Sequence, residues 1–149
     1  MTLAEQVGAL RRTLYRLLTR RLSVKTRRPI TQLLAMKFIA VRGVRTQAEL
    51  AERLLVDAPA VSRLVDRLEE EGLVKRCAGE DRRCVRLQVT EASRADIAVL
   101  EEESRRLDED AARYLTPEEV TELKRLLEKL QAGLLQTASQ SVEGETPQD

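Results

Sequence analysis

Apolar residues recur at helical spacing along most of the chain, and one short stretch alternates between apolar and polar positions. A leucine-rich stripe predicts a first helix over about residues 2–25 and consists of Leu3, Val7, Leu10, Leu14, Leu17, Leu18 and Leu22. Pro29 ends this helix and opens a second one, from Thr31 to Val41. Gly43 is placed to end the second helix.

A helix-turn-helix is predicted between Thr46 and Arg67. Thr46 followed by Glu49 is a capping box, in which the hydroxyl and the carboxylate satisfy free amides at a helix start. Residues 55–57 form the turn, and Asp57 caps the following helix. That helix has one apolar stripe, made of Val61, Leu64, Val65 and Leu68.

The polar side of this second helix carries candidate DNA contacts. It consists of Pro59, Ser62, Arg63, Asp66 and Arg67. A short amphipathic helix that crosses another and shows Ser and Arg outward suits entry into a major groove. A helical hairpin with a charged, solvated face is the alternative interpretation of the same residues.

A basic hairpin is predicted after the helix pair. Leu73 and Val74 begin one strand after Gly72, and the alternation of residues 85–89 predicts a second strand with one buried side. The polar loop between them carries Arg82 and Arg83. A guanidinium on a thin loop can enter a minor groove, where narrow A·T-rich DNA concentrates negative potential.

Two further helices are predicted after the hairpin, one from Thr90–Glu91 and one restarting at Thr116–Pro117. Ser, Gln, Gly, Pro and acids predict a disordered tail over residues 139–149. The terminal helices carry more apolar surface than a small monomer covers, which favours a homodimer. The alternatives are helices that fold back on their own module or form a coiled coil with another protein.

Charge is unevenly distributed, although the formal net charge is only +1. Residues 11–28 contain eight basic residues and no acid, whereas residues 91–149 contain fifteen acids and seven bases. The basic side chains either line DNA phosphates or pair with acidic helices of a partner subunit.

Composition argues against catalysis. The chain has no histidine and no Gly-rich phosphate loop, so neither an enzyme, a metal site nor a cofactor is predicted. Neither a run of about 18 apolar residues nor a signal peptide is found, and we expect a cytoplasmic protein.

Four segments carry a family resemblance: Ser62–Glu69, Gly72–Arg76, Asp81–Arg83 and Leu87–Thr90. With them the chain resembles the MarR family of bacterial winged helix-turn-helix regulators, from about residue 3 to residue 136. The resemblance implies a mainly α fold with a small β-wing. It also implies one domain over residues 1–138, with a DNA-binding core at about 31–90 and dimerisation helices at about 2–25 and 91–138.

The family resemblance implies a homodimer that represses a promoter at a palindromic operator and is released by a small anionic or phenolic ligand or by thiol oxidation. The recognition-helix contacts would be Pro59, Ala60, Ser62, Arg63 and Arg67. At the wing, Arg82 and Arg83 would reach the minor groove and Asp81 would orient the arginine. The alternative is a winged-helix module that binds proteins and has lost specific DNA binding.

Three positions depart from the family pattern. Leu55 stands at a turn position where the family usually has Gly, and Ser93 stands where Gly commonly follows the last wing strand. The loop before Asp81 is about one residue short, which affects the reach of the wing.

The two cysteines, Cys77 and Cys84, fall on the predicted wing strands. If Val74 pairs with Leu87, the same register sets Cys77 opposite Cys84, near enough for a disulfide. Nearby arginines would favour the thiolate, so an oxidation switch is one hypothesis. The other is a pair of reduced cysteines in ordinary strand positions.

An effector site is expected between the winged module and the terminal helices, as the family resemblance implies. Its candidates are Tyr15, Arg16 and Arg20, together with Met36 or Phe38. An arginine there could hold a carboxylate with two hydrogen bonds. Structural ion pairing and contact with the DNA backbone are the alternatives.

Overall fold

The computed structural model describes residues 1–79 and 85–143 of the chain. Its helices are α1 (Leu3–Lys25), α2 (Ile30–Val41), α3 (Gln47–Leu54), α4 (Ala58–Glu70), α5 (Arg94–Ala111) and α6 (Pro117–Glu143). Two antiparallel strands, β1 (Val74–Ala78) and β2 (Val85–Val89), form the sheet. The predicted fold class, mainly α with a small β-wing, is confirmed.

The described contacts divide the chain into two units, Met1–Arg105 and Arg106–Asp149. In the first unit α3 packs on α2 and on α4, while β2 lies against α2 and β1 against α4. A single core joins these elements, and its fully buried side chains include Leu33, Met36, Ile39, Leu50, Val61, Val65, Leu68, Leu87 and Leu100. This core holds the two helices of the helix-turn-helix in a fixed relation to the strands.

Polar side chains cap both helices of the helix-turn-helix, as predicted. The amide of Glu49 donates to Thr46 Oγ1 (3.2 Å), and the amide of Ala60 donates to Asp57 Oδ1 (2.8 Å). The reciprocal half of the capping box differs from the prediction, because Glu49 Oε2 accepts from the amide of Arg45, one residue before the cap. Each cap satisfies an amide that its helix leaves free.

The turn between α3 and α4 contains a strained residue. Leu55 is left-handed (φ 56°, ψ 45°), a conformation that costs a residue with a side chain more than it costs glycine. Its amide donates to Glu52 O, and the amide of Val56 donates to Ala51 O (3.2 Å). Leu55 therefore adopts the left-handed conformation that glycine takes more easily, and the turn hydrogen bonds form at the expense of backbone strain.

The register of the wing strands differs from the predicted one. Val74 pairs with Val89 rather than with Leu87, and Cys77 therefore lies opposite Arg86 rather than Cys84. A shift of two residues leaves every side chain on the same face, so apolar alternation cannot distinguish the two registers. The amide of Leu87 also donates to Arg45 O (2.7 Å), which anchors β2 to the segment before α3.

The second unit, described by itself, contains the end of α5, a turn and α6. Thr116 caps α6 by accepting from the amide of Glu119 (3.2 Å), as the restart signal predicted. Five leucines of α6 are exposed, namely Leu123, Leu126, Leu127, Leu134 and Leu135, and Leu130 is half-buried. The helix continues to Glu143, so residues 139–143 are helical where a disordered tail was predicted.

The second helix differs from its predicted limits only slightly. α2 begins at Ile30 after Pro29, one residue before the predicted start, and Gly43 follows its end with φ +73°. Among the described residues, no helix is long and apolar enough to cross a membrane.

Candidate nucleic-acid interface

The outward face of α4 is the candidate recognition surface. Val61, Val65 and Leu68 turn inward and are buried. The predicted DNA contacts lie on the remaining surface: Pro59, Arg63 and Arg67 are exposed, and Ala60 and Ser62 are half-buried. The structure thus brings all five onto the accessible side of one helix, and their role in binding DNA stays a prediction.

The two arginines of this face are available to a ligand. Arg67 Nε lies 3.9 Å from Glu71 Oε1, and its side chain is 70% exposed, so this ion pair is weak. Arg63 has no ion pair with any residue that the structure describes. Positive charge therefore projects from α4 at Arg63, and at Arg67 it is only weakly paired, which suits contact with phosphates or with base edges.

The predicted wing-tip residues Asp81, Arg82 and Arg83 lie outside the described residues. The described parts of the strands carry two exposed basic side chains, Lys75 and Arg86. The stem of the wing is therefore positively charged on its solvent side.

Arg76 is a structural residue that sequence reasoning missed. From β1 it donates to Asp66 Oδ1 (2.7 Å) and Glu69 Oε1 (3.0 Å) on α4, and to Gln47 Oε1 at the start of α3. Burial acts to lower the pKa of Arg76, but the hydrogen bonds and charges of Asp66 and Glu69 outweigh it and raise the pKa. Arg76 is therefore always charged, and it links the wing to both helices of the helix-turn-helix.

Arg28 forms a second connection, just after the C-terminal end of α4. It pairs with Glu71, the residue that follows α4, and its Nε donates to Asp96 Oδ2 on α5 (3.0 Å). Lys25 likewise pairs with the buried Glu103 on α5. These two members of the basic segment are thus paired within their own chain, an arrangement that neither sequence-based alternative included.

The candidate redox pair loses its predicted geometry. Cys77 is half-buried on β1 and lies opposite Arg86, while Cys84 is outside the described residues. The predicted direct opposition of Cys77 and Cys84 is therefore wrong.

The candidate effector residues line an open cavity of about 750 Å³. Tyr15, Arg16 and Arg20 contribute from α1, and Phe38 contributes from α2. Met36 does not, because its side chain is fully buried in the core. Sequence reasoning missed the other lining residues, which are Arg11, Arg12, Thr19, Thr31, Leu34, Arg53, Leu54 and Val56.

A second, smaller cavity adjoins α4. It has a volume of about 480 Å³, and Arg63, Leu64 and Arg67 line it from α4. Three of its lining residues, Thr31, Leu54 and Val56, also line the larger cavity. The end of α3 and the turn after it therefore separate the candidate effector site from the candidate DNA-binding helix.

A family model described as the MarR family matches residues 26–83. This segment includes α2, the helix-turn-helix and β1. The part of the chain that carries the candidate recognition surface is therefore the part that matches the family model.

Several solved transcriptional regulators share the fold. A cysteine-to-serine mutant of MarR from E. coli, complexed with operator DNA, is 27% identical with a TM-score of 0.69 over 86% of this chain and 92% of that chain. Wild-type apo MarR from E. coli is 26% identical, with a TM-score of 0.72 over 87% and 96% of the two chains. Another transcriptional regulator is 28% identical, with a TM-score of 0.76 over 91% and 99%.

Proposed function

From a confirmed resemblance to the MarR family of transcriptional regulators, we propose that this chain represses transcription in the cytoplasm as a homodimer bound to a palindromic operator. The observation that carries the proposal is the outward face of α4, where Arg63 and Arg67 project beside Ser62. In the relative solved with operator DNA the same fold is bound to a duplex. A palindrome would match the two-fold symmetry of a dimer.

The assignments on α4 follow from exposure and chemistry. Arg63 and Arg67 would contact guanine edges or phosphates, and Ser62 would donate to either, since hydroxyl and guanidinium groups are the usual donors at such sites. Pro59 and Ala60 lie in the first turn of α4, where a small, smooth surface permits close approach to the groove. At the wing, Arg82 or Arg83 would enter the minor groove, oriented by Asp81.

Homodimer formation is proposed from two exposed apolar surfaces, each taken in its own unit. On α1 the exposed residues Leu3, Val7, Leu10 and Leu14 form one stripe. On α6 the five exposed leucines form another. Covering such surfaces with a second copy of the chain would remove apolar area from water, the main favourable term in protein association.

A small anionic or phenolic ligand is proposed as the signal that releases DNA. The cavity supports this choice, because Arg16 and Arg20 lie beside Tyr15 and Phe38 in one open site. The proposed signal is a ligand rather than thiol oxidation, because Arg86 occupies the position opposite Cys77.

The test is selection of bound duplexes from random DNA by the full-length protein. We expect a palindrome whose half-site centres lie about one helical turn apart. A monomeric protein at micromolar concentration would contradict the dimer. Failure to enrich any sequence would contradict specific DNA binding and favour the alternative, a winged-helix module that binds proteins.

A further inference from the structure

Five arginines surround the larger cavity: Arg11, Arg12, Arg16, Arg20 and Arg53. We propose that the cavity binds an apolar, ring-sized ligand carrying a dianionic group, of which an aryl phosphate is the simplest example. The inference rests on the proposed function, in that it names the class of the effector. It can nevertheless be tested without DNA.

The positive charge of the cavity is not balanced by the protein. None of the described residues that line it is acidic. None of the five guanidinium groups has a hydrogen bond or an ion pair with a residue that the structure describes. Some exposed arginines elsewhere in the first unit are paired, as Arg94 is with Glu91 and Arg105 is with Glu102. The arginines around the cavity thus receive no counter-charge from the described residues that line it, and an anionic ligand would supply one.

The number of arginines favours two negative charges over one. One guanidinium can satisfy one carboxylate with two parallel hydrogen bonds. A monoanion would therefore engage Arg16 or Arg20 and leave most of the surrounding positive charge uncompensated. A dianionic group offers more acceptor oxygens and more charge, so several of the guanidinium groups can bind it at once.

The floor of the cavity argues against a free inorganic anion as the ligand. It is apolar and includes Leu34, Phe38, Leu54 and Val56. A volume of about 750 Å³ lies within the usual range for small-molecule sites, and such a floor suits an aromatic body. Charged donors at the rim and apolar contacts at the floor together specify an amphipathic ligand.

The face of α1 that lines the cavity differs from its apolar stripe. Arg12 lies two residues from both Leu10 and Leu14, and two residues turn an α-helix through about 200°. Arg12 and Arg16 therefore lie on the side away from the exposed leucines that are proposed to contact a second copy. A dimer formed through the stripe would leave Arg12 and Arg16 accessible.

A ligand in this cavity would contact the turn that precedes the recognition helix. Leu54 and Val56 line the cavity on one side and the smaller cavity beside Arg63 on the other. Leu55, between them, is in the left-handed region with φ 56°. Occupation of the larger cavity would thus act on a strained segment connected directly to α4.

The test compares four probes by isothermal titration calorimetry with the DNA-free protein: 1-naphthyl phosphate, 1-naphthoate, 1-naphthol and inorganic phosphate. We expect 1-naphthyl phosphate to bind at least about tenfold more tightly than 1-naphthoate, because charge-assisted hydrogen bonds are added. We expect inorganic phosphate and 1-naphthol to bind more weakly than either. Inorganic phosphate lacks the aromatic body for the apolar floor, and 1-naphthol lacks the anionic group for the arginines.

Variants locate the site. Arg16→Gln and Arg53→Gln should each reduce the preference for the phosphate over the carboxylate by about threefold or more. Phe38→Ala should weaken all three aromatic probes. Arg42→Gln is the matched control, because Arg42 is exposed and does not line the cavity. If one arginine variant does not fold, the other still reports on the same charge cluster.

Three results would overturn the proposal: equal affinity for 1-naphthyl phosphate and 1-naphthoate, equal affinity for 1-naphthyl phosphate and inorganic phosphate, or no binding of any probe. A preference that survives unchanged in both arginine variants would also overturn it. Because these measurements contain no DNA, they are independent of operator selection, and either proposal can fail while the other stands.

Discussion

Arg76 Nη2 lies 2.7 Å from Asp66 Oδ1, so the first wing strand is joined by an ion pair to the outward side of α4. The same guanidinium contacts Glu69 on the helix and Gln47 on α3. Asp66 belongs to the polar face that was predicted to contact DNA, yet it binds Arg76 instead. The recognition surface thus contains both side chains that are available to DNA and side chains that hold the wing in position.

Replacing Arg76 should therefore reduce both stability and DNA binding. We expect Arg76→Gln to lower the free energy of unfolding by about 1–2 kcal/mol, because it removes charge-assisted hydrogen bonds whose acidic partners remain partly exposed. Urea denaturation would measure the stability, and fluorescence anisotropy would measure operator affinity. Arg94→Gln, which breaks an exposed pair with Glu91, is the control and should change neither. Unchanged affinity in Arg76→Gln would show that the wing does not depend on this contact.

Removal of Arg63 should weaken operator binding without weakening the fold. An arginine bidentate to guanine contributes about 1–3 kcal/mol of discrimination, so Arg63→Ala should lose affinity and relax sequence preference. If Arg67 binds a phosphate, Arg67→Ala should instead weaken all duplexes alike and reduce the salt dependence of binding. Titrations at several salt concentrations separate the two roles. Wild-type affinity in both variants would refute the assignment of α4 as the recognition helix.

Glycine at position 55 should relieve backbone strain. Leu55 is largely exposed, so Leu55→Gly loses little burial and removes a left-handed side-chain residue. We expect a gain of up to about 1 kcal/mol, the difference between the cost of the left-handed conformation and the added entropy of an unfolded glycine. Leu55→Ala keeps the strain, and its stability should stay at or below that of the wild type. Equal gains in stability from both variants would mean that the exposed leucine side chain, rather than the left-handed backbone, destabilises the wild type.

Loss of the α4 cap should destabilise the helix that carries the recognition surface. Asp57→Ala removes the acceptor for the amide of Ala60, which should cost about 1 kcal/mol. Asp57→Asn keeps an acceptor oxygen and should retain most of the stability. Thermal unfolding monitored by circular dichroism distinguishes the three proteins. A wild-type melting temperature for Asp57→Ala would show that the cap contributes nothing.

Local signals in the sequence predicted the helices well. The caps at Thr46, Asp57 and Thr116 were recognisable because each acts on an amide only three residues away. The exposed face of α4 followed from helical periodicity alone. For the same reason, the positions of Pro59 and Arg63 on that face could be predicted without knowledge of the tertiary structure.

Features that depend on distant residues were not predictable. Arg76 contacts Gln47 and Asp66 across long stretches of chain, and nothing in the local pattern distinguishes it from the exposed Arg86. The predicted strand register was wrong because a two-residue shift preserves the alternation of apolar and polar side chains. Arg53 was missed as a cavity residue because its helix had been interpreted only through its inward face.

The contact between Leu87 and the carbonyl of Arg45 limits how segments of this chain can be exchanged with those of related proteins. A peptide of the wing strands alone would lack that anchor, and its alternating side chains would allow either register. A chimera that exchanges the wing between related proteins would need to carry the segment before α3 with it. The smallest transferable module that contains the candidate recognition surface and an anchored wing therefore begins at or before Arg45, upstream of the helix-turn-helix itself.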